Sequence, residues 1–315
     1  MSPLIETILF VFSLLALGYL AGATRYLKPE TGEGVAEFAV NIAMPLLLFK
    51  TMVAADFRDG APWRFWGVYF AAVIVTWTAG HLITTRLFGR DSQAGVVGGV
   101  SSAFSNLVLI GIPFTLGVFG QPGFEVLSLL VSVHLPTMIM ASIVLFEIFG
   151  RAGQGLKPIH ILKTFFAKMA RNPLIIGILA GLIWRMTALP MPVLPGRLID
   201  ALANTASPIA LFAMGLSLSR FGLSGNIKPA IALSAAKLLL MPAVALGLAW
   251  ALGLPPLVAK VAVASAALPS GVNSYLIATQ FGTGQALATN QMTIATLCAV
   301  VTTALWLFLA QMVFG

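Results

Sequence analysis

Apolar residues follow one another along this chain in long stretches, and polar residues gather in the short intervals between them. Such runs fit neither the alternation of a half-buried strand nor the one-sided stripe of a surface helix. A helix of about 20 residues crosses a bilayer core of about 30 Å. Ten runs of that order can be read, at 4–23, 34–54, 63–88, 93–119, 123–149, 173–190, 198–219, 229–253, 257–281 and 287–314. Backbone polar groups in lipid must be satisfied within their own segment, so the runs predict helices. A β-barrel would instead show short alternating stretches. The expected fold is an all-α integral membrane protein of ten transmembrane helices.

The order of small and polar residues adds a repeat. NIAMPLLLF places Asn41, Pro45 and Phe49 at steps of four, and NTASPIALF places Asn204, Pro208 and Phe212 at the same steps. GYLAG (Gly18 to Gly22) in the first run answers GILAG (Gly177 to Gly181) in the sixth, and VSSAF from Val100 answers VASAA from Val263. The matches keep chain order at offsets of 159 to 163 residues. They divide the chain into a five-helix repeat at 1–149, a basic loop at 150–172 and a second repeat at 173–315. Five spans per half make the repeats inverted in the membrane, a common design of secondary transporters.

Composition supports the membrane reading, with 59% hydrophobic and 9% charged residues where soluble domains carry about 25% charged. The formal charge of +8 and pI near 10 come from Lys and Arg scattered in connectors, with no patch suited to nucleic acid. Eleven loop Lys and Arg follow the odd-numbered spans through the seventh, against six on the other side. The positive-inside rule then sets loop 150–172 in the cytoplasm and both termini outside. The start, MSPLIETILF, has no basic region or cleavage site, so the first run is expected to be kept as a span. The one cysteine, Cys298, allows no disulfide framework and no metal cluster.

Candidate chemistry sits in the fourth and ninth runs. SAFSNLVLIGIPF brings Ser105, Asn106, Gly111 and Pro113 into an apolar setting, and SAALPSGVNSYL brings Pro269, Ser270, Gly271, Asn273 and Ser274. Proline and glycine there predict interruptions, the first at Gly111–Pro113 and the second at Pro269–Gly271. Unwound backbone at membrane depth is tolerated beside protein or a watery cavity. Matched interruptions in inverted repeats point to a midplane binding site, with half-helix N-termini suited to an anion; the plainer alternative is a pair of kinks that shape the bundle. Lys237 and His134 lie deep in the eighth and fifth runs and are further candidates, as ligands or as buried structural groups. His81 is expected to be structural, and Asn41, Pro45, Asn204 and Pro208 are read as helix-breaking positions. Glu6, Glu37, Glu125, Glu147 and Asp200 fall near span ends. No Walker sequence, catalytic triad order or HExxH motif occurs, so neither an enzyme nor a bound cofactor is expected.

These residues give the chain a resemblance to the auxin efflux carrier family. It is carried by Asn106-x4-Gly111-x-Pro113, LFE (Leu145 to Glu147), RNP (Arg171 to Pro173), LFAMGLSL (Leu211 to Leu218) and AALPSG (Ala266 to Gly271). The resemblance implies a five-plus-five inverted repeat in which broken helices four and nine cross at the midplane. It also implies scaffold and transport domains moving as an elevator, often in a homodimer. Asn106, Pro113 and Pro269 match the crossover, His134 a site where plant members carry an amide, and Lys237 a basic residue of span eight. The short loop and the absence of the plant third-span acid–lysine pair make this a compact bacterial-type member of a cell membrane, the bacterial inner membrane. The implied function is secondary transport of a small organic anion, a carboxylate. The alternatives are a sodium-coupled symporter of the bile-acid-carrier type, with Ser265, Thr279 and Gln280 as conceivable oxygen ligands, and a channel or sensor without a transport cycle.

Overall fold

In a computed structural model that describes residues 3–54, 62–150, 163, 166–167, 170–220, 223, 225 and 227–315, every regular element is helical. The helices are α1 (Pro3–Ala23), α2 (Pro29–Phe38), α3 (Met44–Ala54), α4 (Trp63–Leu82), α5 (Ser92–Ala103), α6 (Ile112–Gly150) and α7 (Pro173–Met186). They continue with α8 (Val193–Ala203), α9 (Ala206–Leu218), α10 (Lys228–Ala235), α11 (Met241–Ala251), α12 (Pro256–Ala267), α13 (Val272–Gln280) and α14 (Gln285–Phe314). Seven helical stretches among these residues are long and apolar enough to cross a membrane, or eight if α12 and α13, bent by 52°, count as one. The runs expected as spans four and five lie within the apolar stretch Ser92–Phe149, where two helices meet at Gly120, whose φ of 64° is not helical. The expected sixth span is the 14-residue apolar helix α7. Most of loop 150–172, and with it much of the basic connector, falls outside the described residues.

Prolines inside the apolar runs shape the helices in a consistent way. A proline offers no N–H to the carbonyl four residues before it, and its ring crowds that carbonyl. Four wide π turns occur among the described residues, and three of them end two residues before a proline. Ala39–Ala43 precedes Pro45, Leu107–Gly111 precedes Pro113, and Ala236–Leu240 precedes Pro242. The helix thus accommodates the ring by widening one turn, a known route to functional sites within membrane helices. This corrects the expected interruption at Gly111–Pro113. The π turn Leu107–Gly111 runs without a break into α6, so the helix passes through Pro113, and the interruption lies earlier, at Phe104–Asn106.

The chain forms two compact units, each drawing on both halves of the sequence. The first comprises Met1–Ala61, Leu107–Val133 and Phe166–Arg220. Within it α1 lies along α9, and α3 along α7. Both contacts are made through glycine. A Cβ on Gly18 or Gly215 would collide with the backbone carbonyl of Phe212 or Leu15, and one on Gly177 or Gly181 with that of Pro45 or Phe49. The repeated GYLAG and GILAG segments therefore do the same work, each letting one helix approach the backbone of a helix from the opposite half. Lys50 and Asp200 pair at 2.6 Å on the surface of this unit, and Arg220 pairs with Glu33.

The second unit comprises Pro62–Asn106, His134–Phe165 and Phe221–Gly315. Its centre is α5, buried from Ala94 to Ala103. Glycines again set the approach: a Cβ on Gly98 or Gly99 would strike Thr84 or Trp77 of the α4 stretch, and one on Gly80 would strike Ser102. Asp91 begins α5 by accepting a hydrogen bond from the Ala94 N–H at 2.8 Å, which satisfies one of the donors left open at a helix start.

Candidate functional site

The last carbonyls of a helix and the first N–H groups of the next need partners wherever a helix is interrupted away from water. Both interruptions of the second unit meet this demand largely from each other. The Asn106 N–H donates to the Pro269 carbonyl at 2.9 Å. The Ser270 hydroxyl lies 2.8 Å from the Ser101 carbonyl near the end of α5. At the end of α12, Lys237 Nζ donates to the Ala266 carbonyl at 2.8 Å, and the Thr303 hydroxyl reaches the Ala267 carbonyl at 3.3 Å. The gaps after α5 and α12 are therefore joined by backbone and side-chain bonds, with Asn106, Ser270 and Pro269 at the joint.

Asn106 is 5% exposed, and its side chain lies against Gly271, where an added Cβ would stand 3.1 Å from the Asn106 Cγ. Gly271 begins α13 without a side-chain cap. A glycine here permits the amide to approach the start of the helix, where open N–H groups and the helix dipole favour negative charge. Asn273 follows in the first turn and is half-buried. Ser105, fully buried, accepts from Lys237 Nζ at 2.7 Å.

Lys237 itself is 0% exposed. It sits in the π turn Ala236–Leu240, and its remaining contact is Met241 Sδ at 2.9 Å. The proline behind this turn, Pro242, removes the N–H that would bond Leu238 in an α-helix. The indole Nε1–H of Trp306 donates to that carbonyl instead, at 2.7 Å.

His134 is buried against two rings, Phe104 at 4.8 Å and Tyr69 at 5.5 Å between centroids. Ser105 is a neighbour of both the His134 ring and the Tyr69 hydroxyl, yet neither of these reaches hydrogen-bonding geometry with a partner. Buried polar groups are nearly always bonded, so two open groups beside Asn106 and Ser105 mark this as a place suited to a polar guest. Gln291 extends the network on the other side. Its Oε1 stands 2.7 Å from Ser270 Oγ while its Nε2 has no partner. A serine hydroxyl has one proton, so Ser270 donates either to the Ser101 carbonyl or to Gln291 Oε1.

The other expected residues fall elsewhere. Gly111 and Pro113 belong to the first unit. Asn41 lies exposed in the π turn before Pro45, Asn204 in the turn between α8 and α9, and Pro208 in the first turn of α9. Thr279 and Gln280 are exposed at the end of α13, and Ser265 is buried in α12. Among the described residues no three His, Cys, Asp or Glu side chains could together hold a metal ion. Sequence reading missed Tyr69, which resembles its aromatic neighbours in WRFWGVYF, and Gln291, although the TNQM cluster at Thr289–Met292 offered a polar signal.

Comparison with known proteins gives this geometry its setting. The membrane transport protein family matches residues 3–307, nearly the whole chain. The chain belongs to that family, which includes the auxin efflux carriers. A protein of Rhizobium meliloti named "Putative malonate transporter" is 27% identical over 322 residues, covering 99% of this chain and 97% of its own. An uncharacterised transporter of Methanothermobacter thermautotrophicus is 26% identical over 305 residues, covering 96% of each. Auxin efflux carrier component 8 of Arabidopsis thaliana is 22% identical over 353 residues, covering 95% of each. Membership of the membrane transport protein family makes this chain a multi-pass membrane transporter and not an enzyme.

Proposed function

We propose that this transporter is a secondary carrier of a small carboxylate, bound where the interruptions of the fourth and ninth spans meet. The observation that carries the reading is the Asn106 amide against Gly271, at the start of α13. Asn106, Ser105, Ser270 and Asn273 supply hydrogen-bonding groups there, His134 and Tyr69 add open polar atoms, Pro269 holds the joint, and Lys237 supplies positive charge behind Ser105. The name of the Rhizobium relative favours a carboxylate of malonate size.

The full architecture in this proposal has ten spans in two inverted repeats, with the interruptions at Phe104–Asn106 and Leu268–Gly271 at the crossover. Its support is the pair of reciprocal glycine contacts between halves and the internal sequence repeat. Elevator-like movement of one unit against the other is favoured by the division of the chain into two units that each combine both halves. The carrier acts in a bacterial inner membrane with both termini outside, as a homodimer or alone.

Uptake of malonate and of a series of mono- and dicarboxylates into proteoliposomes tests the site. Asn106→Ala removes a hydrogen bond to a charged group, worth about 1.5–3 kcal/mol, or roughly ten- to a hundredfold in affinity. Asn106→Asp keeps the shape and sets a negative charge against an anion, so uptake is abolished while the protein still elutes as one folded species. Parent-rate uptake by both Asn106→Asp and Asn273→Asp refutes an anion site at this joint.

A further inference from the structure

The C-terminal ends of α5 and α12 arrive at the same joint, and each helix end carries roughly half a negative charge in its open carbonyls. Two such ends in a buried setting form an acceptor cage that favours a cation. Lys237 supplies one from the chain itself. Its ammonium has three N–H donors and meets three acceptors: Ser105 Oγ after α5 at 2.7 Å, the Ala266 carbonyl of α12 at 2.8 Å, and Met241 Sδ at 2.9 Å. Among the described residues no Asp or Glu forms an ion pair with it. A lone ammonium at membrane depth is costly unless paired or solvated, so the Ala266 carbonyl at the end of α12 and the Ser105 hydroxyl just after α5 are what compensate it. The π turn before Pro242 directs the side chain to that place.

We infer that Lys237 is a tethered cation, a positioning residue that fastens the two half-helix ends together and fills a site that would otherwise take a free cation. Two consequences follow. The joint does not need an alkali ion to hold its geometry. Lys237 acts on a bound carboxylate through the positions of Ser105 and Asn106, and all three of its donors are committed before substrate arrives.

Thermal melting of the purified protein tests this without any substrate. Exchange of Na⁺ or K⁺ for N-methylglucamine at constant ionic strength leaves the parent melting temperature unchanged. Lys237→Ala lowers it and leaves a space matching the removed atoms, three carbons and a nitrogen. Propylammonium then restores most of the loss, while propanol, equal in size but uncharged, does not. Lys237→Met keeps the volume without the charge, melts below the parent and gains nothing from propylammonium. The inference is overturned if Na⁺ stabilises the parent, if propanol rescues as well as propylammonium, or if Lys237→Met melts at the parent temperature. Should Lys237→Ala fail to fold, the ion series and Lys237→Met decide alone. These outcomes are independent of the carboxylate reading, which fails separately if the parent moves no carboxylate.

Discussion

The hydrogen bond from Trp306 to the Leu238 carbonyl exists because Pro242 withdraws the usual donor, and that dependence can be measured. Trp306→Phe removes the indole N–H and keeps an aromatic ring. The acceptor it abandons sits in a π turn within an apolar run, at 2.7 Å from the nitrogen that served it. Hydrogen bonds between membrane helices average about 0.6 kcal/mol and reach about 1.7, whereas a buried acceptor left bare costs about 1–3 kcal/mol. A loss of about 1–2 kcal/mol is expected. At roughly 2–4 °C per kcal/mol for mid-sized domains, this lowers the melting temperature by about 2–8 °C, toward the smaller figure for a longer chain. The decisive measurement is a double-mutant cycle with Pro242→Ala, which returns a backbone N–H to the position that can serve Leu238. In that background the same Trp306→Phe change costs less than half as much, giving a coupling energy of the size seen for residues that share a partner. An equal loss in both backgrounds refutes the claim that the indole stands in for the missing amide.

Two further predictions concern packing and topology. Gly177→Ala sets a methyl group into the Pro45 carbonyl and costs about 1–3 kcal/mol or more, whereas Gly67→Ala, with open space around it, is neutral or stabilising by up to about 1 kcal/mol; thermal melts of the two variants compare them directly. With the exposed Cys298 replaced by serine, a single cysteine at Gly155 reacts with an impermeant maleimide only after the membrane is opened, and one near Gly315 reacts in intact cells. Labelling of Gly155→Cys from outside reverses the orientation.

Much of this architecture was legible because lipid leaves a chain few options. Long apolar runs predict helices, and the matching GYLAG and GILAG segments both make close glycine contacts with a helix backbone. Lys237 and His134 stood out because a charge or an imidazole is costly among Leu and Val. The interruption in the fourth run was misplaced for a physical reason. Proline marks where a helix lacks a donor, but a widened turn can absorb it without ending the helix, as Leu107–Gly111 does before Pro113. The gap at Phe104–Asn106 depends on a partner over 160 residues away, the Pro269 carbonyl, and local sequence does not announce such a bond. Tyr69 was invisible for the opposite reason, being one aromatic among several, and only its burial beside Ser105 distinguishes it.

The reciprocal glycine contacts also bear on how the chain is made. Synthesis delivers α1 and α3 long before α9 and α7, the helices whose backbones they approach. Through that interval the first half displays two close-fitting grooves with no occupant from its own chain. Equivalent helices of a neighbouring nascent chain present the same backbone surfaces, so exchange of halves between two chains satisfies every contact that correct assembly does. Such exchange is a known hazard wherever identical elements can trade places. The length of the segment joining the halves, residues 150–172, therefore decides more than topology: it sets how quickly the second half reaches the grooves of its own chain before another molecule's does.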